Sequence, residues 1–333
     1  RSCKVITWLE TARGPVFAWE FLAQSTALLI PLHLTWPGEL VPAIRGASVV
    51  ELLDGTRFLR AYGSLPHPNI LGGFLVVLLA GPLAGFLRGG RGRWAAGGLV
   101  GLGLTAVMFS FSRAAWIGVG CGAAVLALHR KNIPRLRLWA LAAVAVVGLL
   151  VAAVPLRGLV VTRLSGLFGP ARSLPRTEIR STRERLALGE DALSLIRAYP
   201  FTGVGLGAYV VAQSTRLSEG ALLEPVHNVP LLITGELGLA GGALWLLLVG
   251  AVLWAQLTRR SSQSRLEAIA FSAAVVAILA MSLFDHYFWS QPAGRTLVWL
   301  ILGVWAGQVW QGNQQEAESI KLDRQAGMGL RRH

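Results

Sequence analysis

The sequence has few charged residues: they make up 14% of its 333 residues, whereas soluble globular domains carry about 25%. Cysteine is scarce as well. Cys3 and Cys121 lie far apart, and Cys121 falls inside an apolar run, so the thiols predict neither a disulfide framework nor a metal cluster. These shortages argue against a soluble domain and against a fold built on cysteine.

Sequence patterns typical of metal and nucleotide sites are also lacking. Neither an HExxH nor an HxH pattern occurs, although histidines commonly bind a metal at such spacings. Gly203, Gly205 and Gly207 do not follow a strand in a βαβ unit, so we do not expect a dinucleotide site. We predict instead that these glycines form a flexible loop near the membrane.

Hydrophobic residues make up 53% of the chain. A helix needs about 20 apolar residues to cross a bilayer core of about 30 Å. We therefore predict an all-α integral membrane protein with about eight transmembrane helices. Four uncharged runs are clear, at 70–87, 94–112, 138–156 and 268–284, and four are less regular, at 21–36, 114–128, 237–257 and 296–310.

Glycines are frequent in these runs, for example Gly97 and Gly101 in one run and Gly118 and Gly122 in the next. Small residues allow membrane helices to approach closely. We expect these glycines to mark contacts between helices.

The net charge of +14 comes from basic residues that lie mostly in short loops between the apolar runs. Membrane topology explains this charge, so no nucleic-acid partner is expected. The positive-inside rule places loops 88–93, 130–137 and 259–265, and both ends of the chain, in the cytoplasm. The outer side then holds 37–69, the turn at Ser112 and Arg113, the segment 157–230 and the turn 285–295.

This topology divides the chain into four parts. About five N-terminal helices occupy 1–156, an extracytoplasmic loop domain occupies 157–230, three C-terminal helices occupy 231–310, and a basic cytoplasmic tail, expected to be disordered, occupies 311–333. Apolar spacing in the loop domain predicts a helix at 177–198 that Pro200 and the following glycines end. The chain begins at Arg1 without an initiator methionine, so the sequence leaves open whether it is a fragment that lacks upstream helices.

Three residues near the outer face are candidates for chemistry. His227 precedes Pro230, which can open a membrane helix, so the imidazole lies at the boundary between water and lipid. It is either a general base or a structural histidine whose nitrogens are satisfied by hydrogen bonds. Arg113 lies between apolar runs, where an unpaired charge costs at least ~2.5 kcal/mol. Either this arginine has a functional role, or Ser112 and Arg113 form a tight turn from which the guanidinium reaches the lipid headgroups. Glu236 is either an arginine's partner or a polar contact between helices.

Several arginines would reach the same outer surface, and guanidinium groups match phosphate oxygens well. An anionic ligand is therefore plausible. For any single arginine, the alternatives are anionic lipid or an ion pair with Glu178, Glu184, Glu190 or Asp191. The arginines are Arg60, Arg113, Arg183, Arg185, Arg197 and Arg295.

Several short motifs follow one another in a characteristic order. They are Arg60-Ala-Tyr-Gly63, His67-Pro68-Asn69, Ser112-Arg113-Ala-Ala-Trp116, Arg185 leading a helix that ends in Pro200-Phe-Thr-Gly203-Val-Gly205-Leu-Gly207, and His227-Asn228 before Glu236-Leu-Gly238. In this order they resemble the O-antigen ligase and polymerase family of membrane glycan-assembly proteins, over nearly the whole chain. Gly189 departs from the family, which often has tryptophan four residues after the arginine.

The resemblance implies a GT-C type fold whose long outer loop carries the active site, and a plasma (inner) membrane location. It implies a metal-independent, inverting glycosyltransferase that uses no cofactor and moves a glycan from undecaprenyl diphosphate to a lipid-linked or glycan acceptor. His227 would activate the acceptor hydroxyl, while Arg185 and Arg113 would hold the diphosphate. The further substrate-binding candidates are Arg60, Asn228, Glu236 and Arg295.

Other classes of protein remain open. A transporter or flippase of a lipid-linked anionic glycan would also need intramembrane arginines. Transporters usually show inverted repeats and broken helices, and we find neither pattern in the sequence. A membrane scaffold would need no interfacial histidine. Ligase and polymerase differ only in the acceptor, so the sequence does not separate them.

Overall fold

The structure is a computed structural model that describes residues 35–36, 48–52, 57–63, 65–154, 156–168, 174–216, 222–258 and 266–329. Within these ranges the chain is mostly helical, as the sequence predicts. The helices are α1 (Pro68–Leu78), α2 (Ala80–Arg88), α3 (Arg93–Phe109), α4 (Arg113–Leu128), α5 (Arg135–Ala153), α6 (Arg157–Phe168), α7 (Arg176–Ala198), α8 (Tyr209–Ser214), α9 (Val229–Thr258), α10 (Leu266–Met281), α11 (Tyr287–Ser290) and α12 (Pro292–Gly329).

Three helical stretches in the described ranges are long and apolar enough to cross a bilayer: Pro68–Arg88, Arg135–Ala153 and Val229–Gln256. Three shorter apolar helices, α3, α4 and α10, accompany them. The run 296–310 lies in α12, whereas the run 21–36 lies outside the described residues except for its last two positions. The total of eight crossings therefore stays a prediction.

The first of these stretches is interrupted between α1 and α2, at Leu79. Pro82 explains the interruption, because proline has no N–H to donate to the carbonyl four residues earlier and its ring clashes with that carbonyl. The predicted run 70–87 is thus helical on both sides of a local break.

The membrane helices pack through glycine, as the sequence predicts. A Cβ added at Gly118 would lie 2.9 Å from the Cγ of Met281, and one at Gly148 would lie 2.6 Å from the carbonyl oxygen of Gly101. Thr105 strengthens the second contact, because its Oγ1 donates to the carbonyl of Gly148 at 2.8 Å. Helix α5 also exposes large apolar side chains, including Trp139, that suit contact with lipid.

A small antiparallel sheet departs from the all-α prediction. Its strands are β1 (Thr35–Trp36), β2 (Val49–Glu51) and β3 (Arg57–Leu59), in the order β1-β3-β2. The prediction that residues 35 and 36 end a membrane helix is wrong, because they pair with β3. Aromatic and β-branched residues such as these suit strands.

The sheet lies beside the turn between α3 and α4 and beside α6. Val50 of β2 is buried in one cluster with Phe111, which lies between α3 and α4, and with Leu159 of α6. The carboxylate of Glu51 accepts a hydrogen bond from the backbone N–H of Thr177, near the start of α7, at 3.1 Å. The sheet therefore supports the segment that carries α6 and α7.

The described part of the segment 157–230 is more helical than predicted. Helix α7 confirms the helix expected at 177–198. Helix α6 was not predicted, because basic residues interrupt its apolar pattern. The prediction of a disordered tail is wrong as far as Gly329, since α12 continues to that residue. Glutamine, glutamate and alanine recur there and favour helix.

Helix α9 is interrupted at Gly238, where φ is +71° and ψ is −175°. The backbone N–H groups of Val204 and Gly205 donate to the carbonyls of Gly235 and Glu236 at 3.0 and 2.9 Å. Across the same break, the N–H of Leu239 donates to the carbonyl of Pro200 at 2.7 Å. The segment 200–207, which we call the glycine loop, is thus bound to the break in α9.

Candidate active site

A chain of buried polar side chains begins at Arg60. Its Nε donates to the carbonyl of Ser110 at 2.8 Å, and its Nη2 donates to Oδ1 of Asn69 at 2.6 Å. Asn69 in turn donates from Nδ2 to Oδ2 of Asp285 at 2.7 Å. Arg60 therefore fixes the amide of Asn69, and the amide orients the carboxylate of Asp285.

Asp285 also faces His227, the predicted general base. Nδ1 of His227 lies 3.4 Å from Oδ1 of Asp285, and the two side chains are 21% and 4% exposed. This is a charge contact longer than a good hydrogen bond, and such contacts often tighten when substrate binds. Burial alone would raise the pKa of Asp285, but His227, His286 and Arg185 together hold that pKa well below its usual value.

Two further imidazoles adjoin this pair. The ring of His286 meets the ring of His227 edge-on with centroids 5.0 Å apart, and its Nδ1 lies 2.6 Å from Oγ of Ser290. Burial lowers the pKa of His286 to about 4, against the opposing charge of Asp285. His67 lies before α1, where burial and then the charge of Arg60 lower its pKa to about 4. Both rings are neutral near pH 7.

The turn before Arg113 contains a strained residue. Phe111 is buried and has φ +47°, which is uncommon outside glycine. Ser112 caps α4, because its Oγ accepts from the N–H of Ala115 at 3.3 Å. The tight turn expected at Ser112 and Arg113 is therefore present, and it places Arg113 at the N-terminus of α4.

The guanidinium of Arg113 binds a carboxylate on α7. Its Nη1 donates to Oε2 of Glu178 at 2.8 Å, and Nη1 of Arg163 donates to the other oxygen of the same carboxylate. This ion pair is one of the alternatives that the sequence leaves open for Arg113. Burial lowers the pKa of Arg163, and the charge of Glu178 opposes that shift.

Arg185 lies two helical turns after Glu178 on α7 and is partly buried. Burial lowers its pKa, the charge of Asp285 opposes this, and the charge of Arg113 adds to it. These influences place Arg185 within electrostatic reach of both Asp285 and Arg113. The structure thus brings together the three predicted catalytic residues, His227, Arg185 and Arg113.

The remaining predicted binding residues have other contacts. Asn228 caps α9 by accepting from the N–H of Leu231 at 2.9 Å, and its Nδ2 donates to the carbonyl of Leu283 at 3.1 Å. Glu236 is 5% exposed and accepts from Nε1 of Trp289 at 2.8 Å. Arg295 lies in the first turns of α12, and in the described ranges its side chain shows no hydrogen bond or ion pair with this cluster.

The sequence prediction missed Asp285, His286, Asn69, Glu178 and Arg163 as members of the site. Asp285 and His286 follow the apolar run of α10 directly, and a carboxylate in that position is a recognisable signal. Glu178 was considered only as an ion-pair partner. Nothing in the local sequence distinguishes Arg163 from its basic neighbours.

The site could also hold a metal ion. His227, Asp285 and His286 each offer one ligand atom, and these atoms lie within 4.8 Å of one another. Two imidazoles and a carboxylate form a known ligand set for zinc. However, the positive charge of Arg185 helps to lower the pKa of Asp285, and Oδ2 of Asp285 already accepts a hydrogen bond from Asn69. We therefore favour an anion over a cation, and metal independence stays a prediction.

Residues 98–246 match the family model of the O-antigen ligase. The matched region extends from α3 into α9 and contains Arg113, Arg185 and His227. No curated protein matches the chain, and no solved structure matches it. The match supports the resemblance seen in the sequence: over residues 98–246 the chain is similar to the O-antigen ligase family, whose members act in glycan assembly at membranes.

Proposed function

We propose that this protein moves an oligosaccharide from undecaprenyl diphosphate to a hydroxyl acceptor on the outer face of the plasma membrane. The observation that carries the proposal is the contact of His227 with Asp285 beside Arg185 and Arg113. One site then combines a base that can deprotonate an alcohol, His227, with cations that can bind a diphosphate, Arg185 and Arg113. Both accelerate glycosyl transfer from a diphosphate carrier.

His227 acts as the base in this mechanism. Its Nδ1 faces Asp285, so its Nε2 is available to take the proton from the acceptor hydroxyl. The acceptor oxygen attacks the anomeric carbon, and the bond from that carbon to the diphosphate oxygen breaks. Attack on the face opposite the leaving group inverts the anomeric carbon. The carboxylate of Asp285 stabilises the imidazolium that forms.

Fixed guanidinium groups take the place of a divalent ion. The electron pair of the breaking bond passes to the diphosphate, whose charge grows in the transition state. Arg185 and Arg113 stabilise that charge through charge-assisted hydrogen bonds, which are stronger than neutral ones. The reaction then needs no metal, and the carrier diphosphate leaves after the transfer.

Transport of the lipid-linked glycan is the second candidate, and the break in α9 at Gly238 favours it, since transporters often contain interrupted helices. In transporters such breaks line a cavity that holds the substrate. Here the glycine loop binds the exposed backbone groups on both sides of the break. This arrangement supports a rigid scaffold for chemistry over a moving gate.

The test is transfer by the purified protein in nanodiscs, supplied with undecaprenyl diphosphate-linked oligosaccharide, candidate acceptors and chelator. We expect glycan transfer with release of the carrier diphosphate, abolished by His227→Ala and strongly reduced by Arg185→Gln. A ladder of products indicates a polymerase, and a single step indicates a ligase. If the folded protein binds the carrier but never cleaves it with any acceptor, transport becomes the better explanation.

A further inference from the structure

Glu178 holds two arginines at once. The carboxylate is 2% exposed and accepts from Nη1 of Arg113 through one oxygen and from Nη1 of Arg163 through the other. Arg60 lies close enough for the charges of Arg163, Arg113 and Glu178 to influence its pKa. A single carboxylate therefore sits among three guanidinium groups contributed by separate parts of the chain.

The same region contains buried polar atoms without partners. Nε of Arg163, Oγ1 of Thr177 and Nε1 of Trp116 are buried, and none has a hydrogen-bond partner in the described ranges. Thr177 adjoins Glu178 on α7, and Trp116 follows Arg113 by one turn on α4 and packs with residues of α6. Native proteins leave few buried polar atoms unpaired, so the unpaired Nε of Arg163, whose Nη1 already binds Glu178, points to a further acceptor at this guanidinium.

We propose that Arg163 and Arg113 form a second phosphate subsite for the donor, and that Glu178 occupies this subsite when no donor is bound. The inference rests on the proposed function, because it assumes a diphosphate donor. Carboxylate and phosphate oxygens bind guanidinium with similar geometry, so one can replace the other. Phosphate has more acceptor oxygens than a carboxylate, so it offers an additional acceptor for the unpaired Nε of Arg163.

The position of Glu178 connects this subsite to the catalytic pair. Glu178 and Arg185 lie seven residues apart on α7, a spacing that places them near one face of the helix. Arg185 lies within electrostatic reach of Asp285. A diphosphate that replaces Glu178 between Arg113 and Arg163 would therefore extend toward Arg185 and the base.

The experiment measures binding alone, with farnesyl diphosphate as the probe and farnesol as the control for the lipid tail. The protein is held in phosphatidylcholine nanodiscs with chelator. We expect Arg163→Gln to weaken binding of the probe about tenfold, because it removes one charge-assisted contact. We expect Glu178→Gln to strengthen binding about tenfold, because it frees one such contact from the competing carboxylate. Glu184→Gln, on the same helix but in an exposed ion pair with Arg180, is the matched control and should leave binding unchanged.

Glu178→Asp keeps the experiment decisive if the neutral variant does not fold. The aspartate retains the charge but is too short to bridge both arginines, so diphosphate should displace it more easily and bind several-fold tighter. A change in net charge alone would leave the affinity of this variant equal to that of the native chain. That result, or an unchanged affinity in Arg163→Gln, overturns the proposal.

Two further outcomes separate this inference from neighbouring ones. If phosphatidylglycerol in the nanodisc competes fully with farnesyl diphosphate, the subsite binds a lipid headgroup and the donor assignment is wrong. If the binding pattern holds but no acceptor yields transfer, the subsite stands while the proposed function fails. If transfer occurs but the variants bind the probe like the native chain, the function stands while the subsite fails.

Discussion

His227 and Asp285 come from opposite ends of a pair of helices, α9 and α10, yet Nδ1 of the imidazole lies 3.4 Å from Oδ1 of the carboxylate. The N–H of Val229 donates to the carbonyl of Ser282 at 2.8 Å and ties the two segments together. Asn228 adds a second link through the carbonyl of Leu283. The residue predicted to bind substrate therefore positions the base.

The first prediction concerns the carboxylate. Asp285→Asn keeps the shape but removes the charge that stabilises the imidazolium, so we expect kcat to fall about 10³-fold or more while donor binding is retained. Turnover and carrier affinity should be measured on the same preparation. The double variant with His227→Ala should be no slower than His227→Ala alone, because the two residues act as a unit. Independent, multiplicative losses would contradict this arrangement.

The second prediction separates the two central arginines of α7. Arg185→Gln removes a guanidinium within electrostatic reach of Asp285 and Arg113, so we expect transfer to fall about 10²-fold. Arg183 lies on the same helix and is exposed, so Arg183→Gln should keep nearly full activity. Initial rates of both variants at saturating acceptor provide the measurement. Equal losses in the two variants would indicate a general effect of charge on α7.

The membrane helices were predictable because long apolar runs and glycine contacts are local signals. The small sheet was not, because strands of two or three residues, such as Val49–Glu51, show too little alternation to detect. The break at Gly238 was missed for a different reason. It lies within an apolar run, and its cause is the glycine loop, which is distant in sequence.

The candidate site was predictable in part. His227 and Arg113 were identified as polar residues beside apolar runs, whereas Arg185 was identified only by its place in the order of the motifs. The partners of these residues, Asp285 and Glu178, depend on which helix ends meet, and the local sequence does not determine that. Arg60 donates hydrogen bonds to Ser110 and Asn69 in the cluster, and its binding of substrate stays a prediction.

The third prediction follows from the lowered pKa of His286, about 4 in the folded protein. An unfolded histidine titrates near ~6.5, so between these values the unfolded state binds more protons and stability falls as the pH is lowered. Asp285 has a lowered pKa, so its contribution is lost only at lower pH. Melting temperatures in detergent should therefore fall from pH 7 to pH 4.5.

His67 shares this window, because its pKa is also about 4. We expect His286→Asn to reduce the pH slope of the melting temperature to about half, since one of two such histidines is removed. The pH series should be recorded for the native chain and the variant in the same detergent. An identical slope in the two proteins would show that His286 is not held neutral by the fold.

The last prediction tests the docking of the glycine loop on α9. At Gly203 φ is +63°, and an added Cβ would lie 2.3 Å from the backbone of Glu236. At Gly238 φ is +71°, and an added Cβ would lie 2.2 Å from the carbonyl oxygen of Phe201. Either alanine substitution should therefore destabilise the protein by roughly 3–5 kcal/mol, through strain and steric overlap together.

Gly189 provides the matched control. It lies inside α7, and a Cβ there would meet no atom within 4 Å. Gly189→Ala should stabilise the protein by about 0.5–1 kcal/mol, because alanine favours helix over glycine. Melting temperatures and protease resistance in detergent measure all three variants. If Gly203→Ala has the same melting temperature as Gly189→Ala, the glycine loop does not contact Glu236. The break in α9 must then be free to move, as a transport mechanism would require.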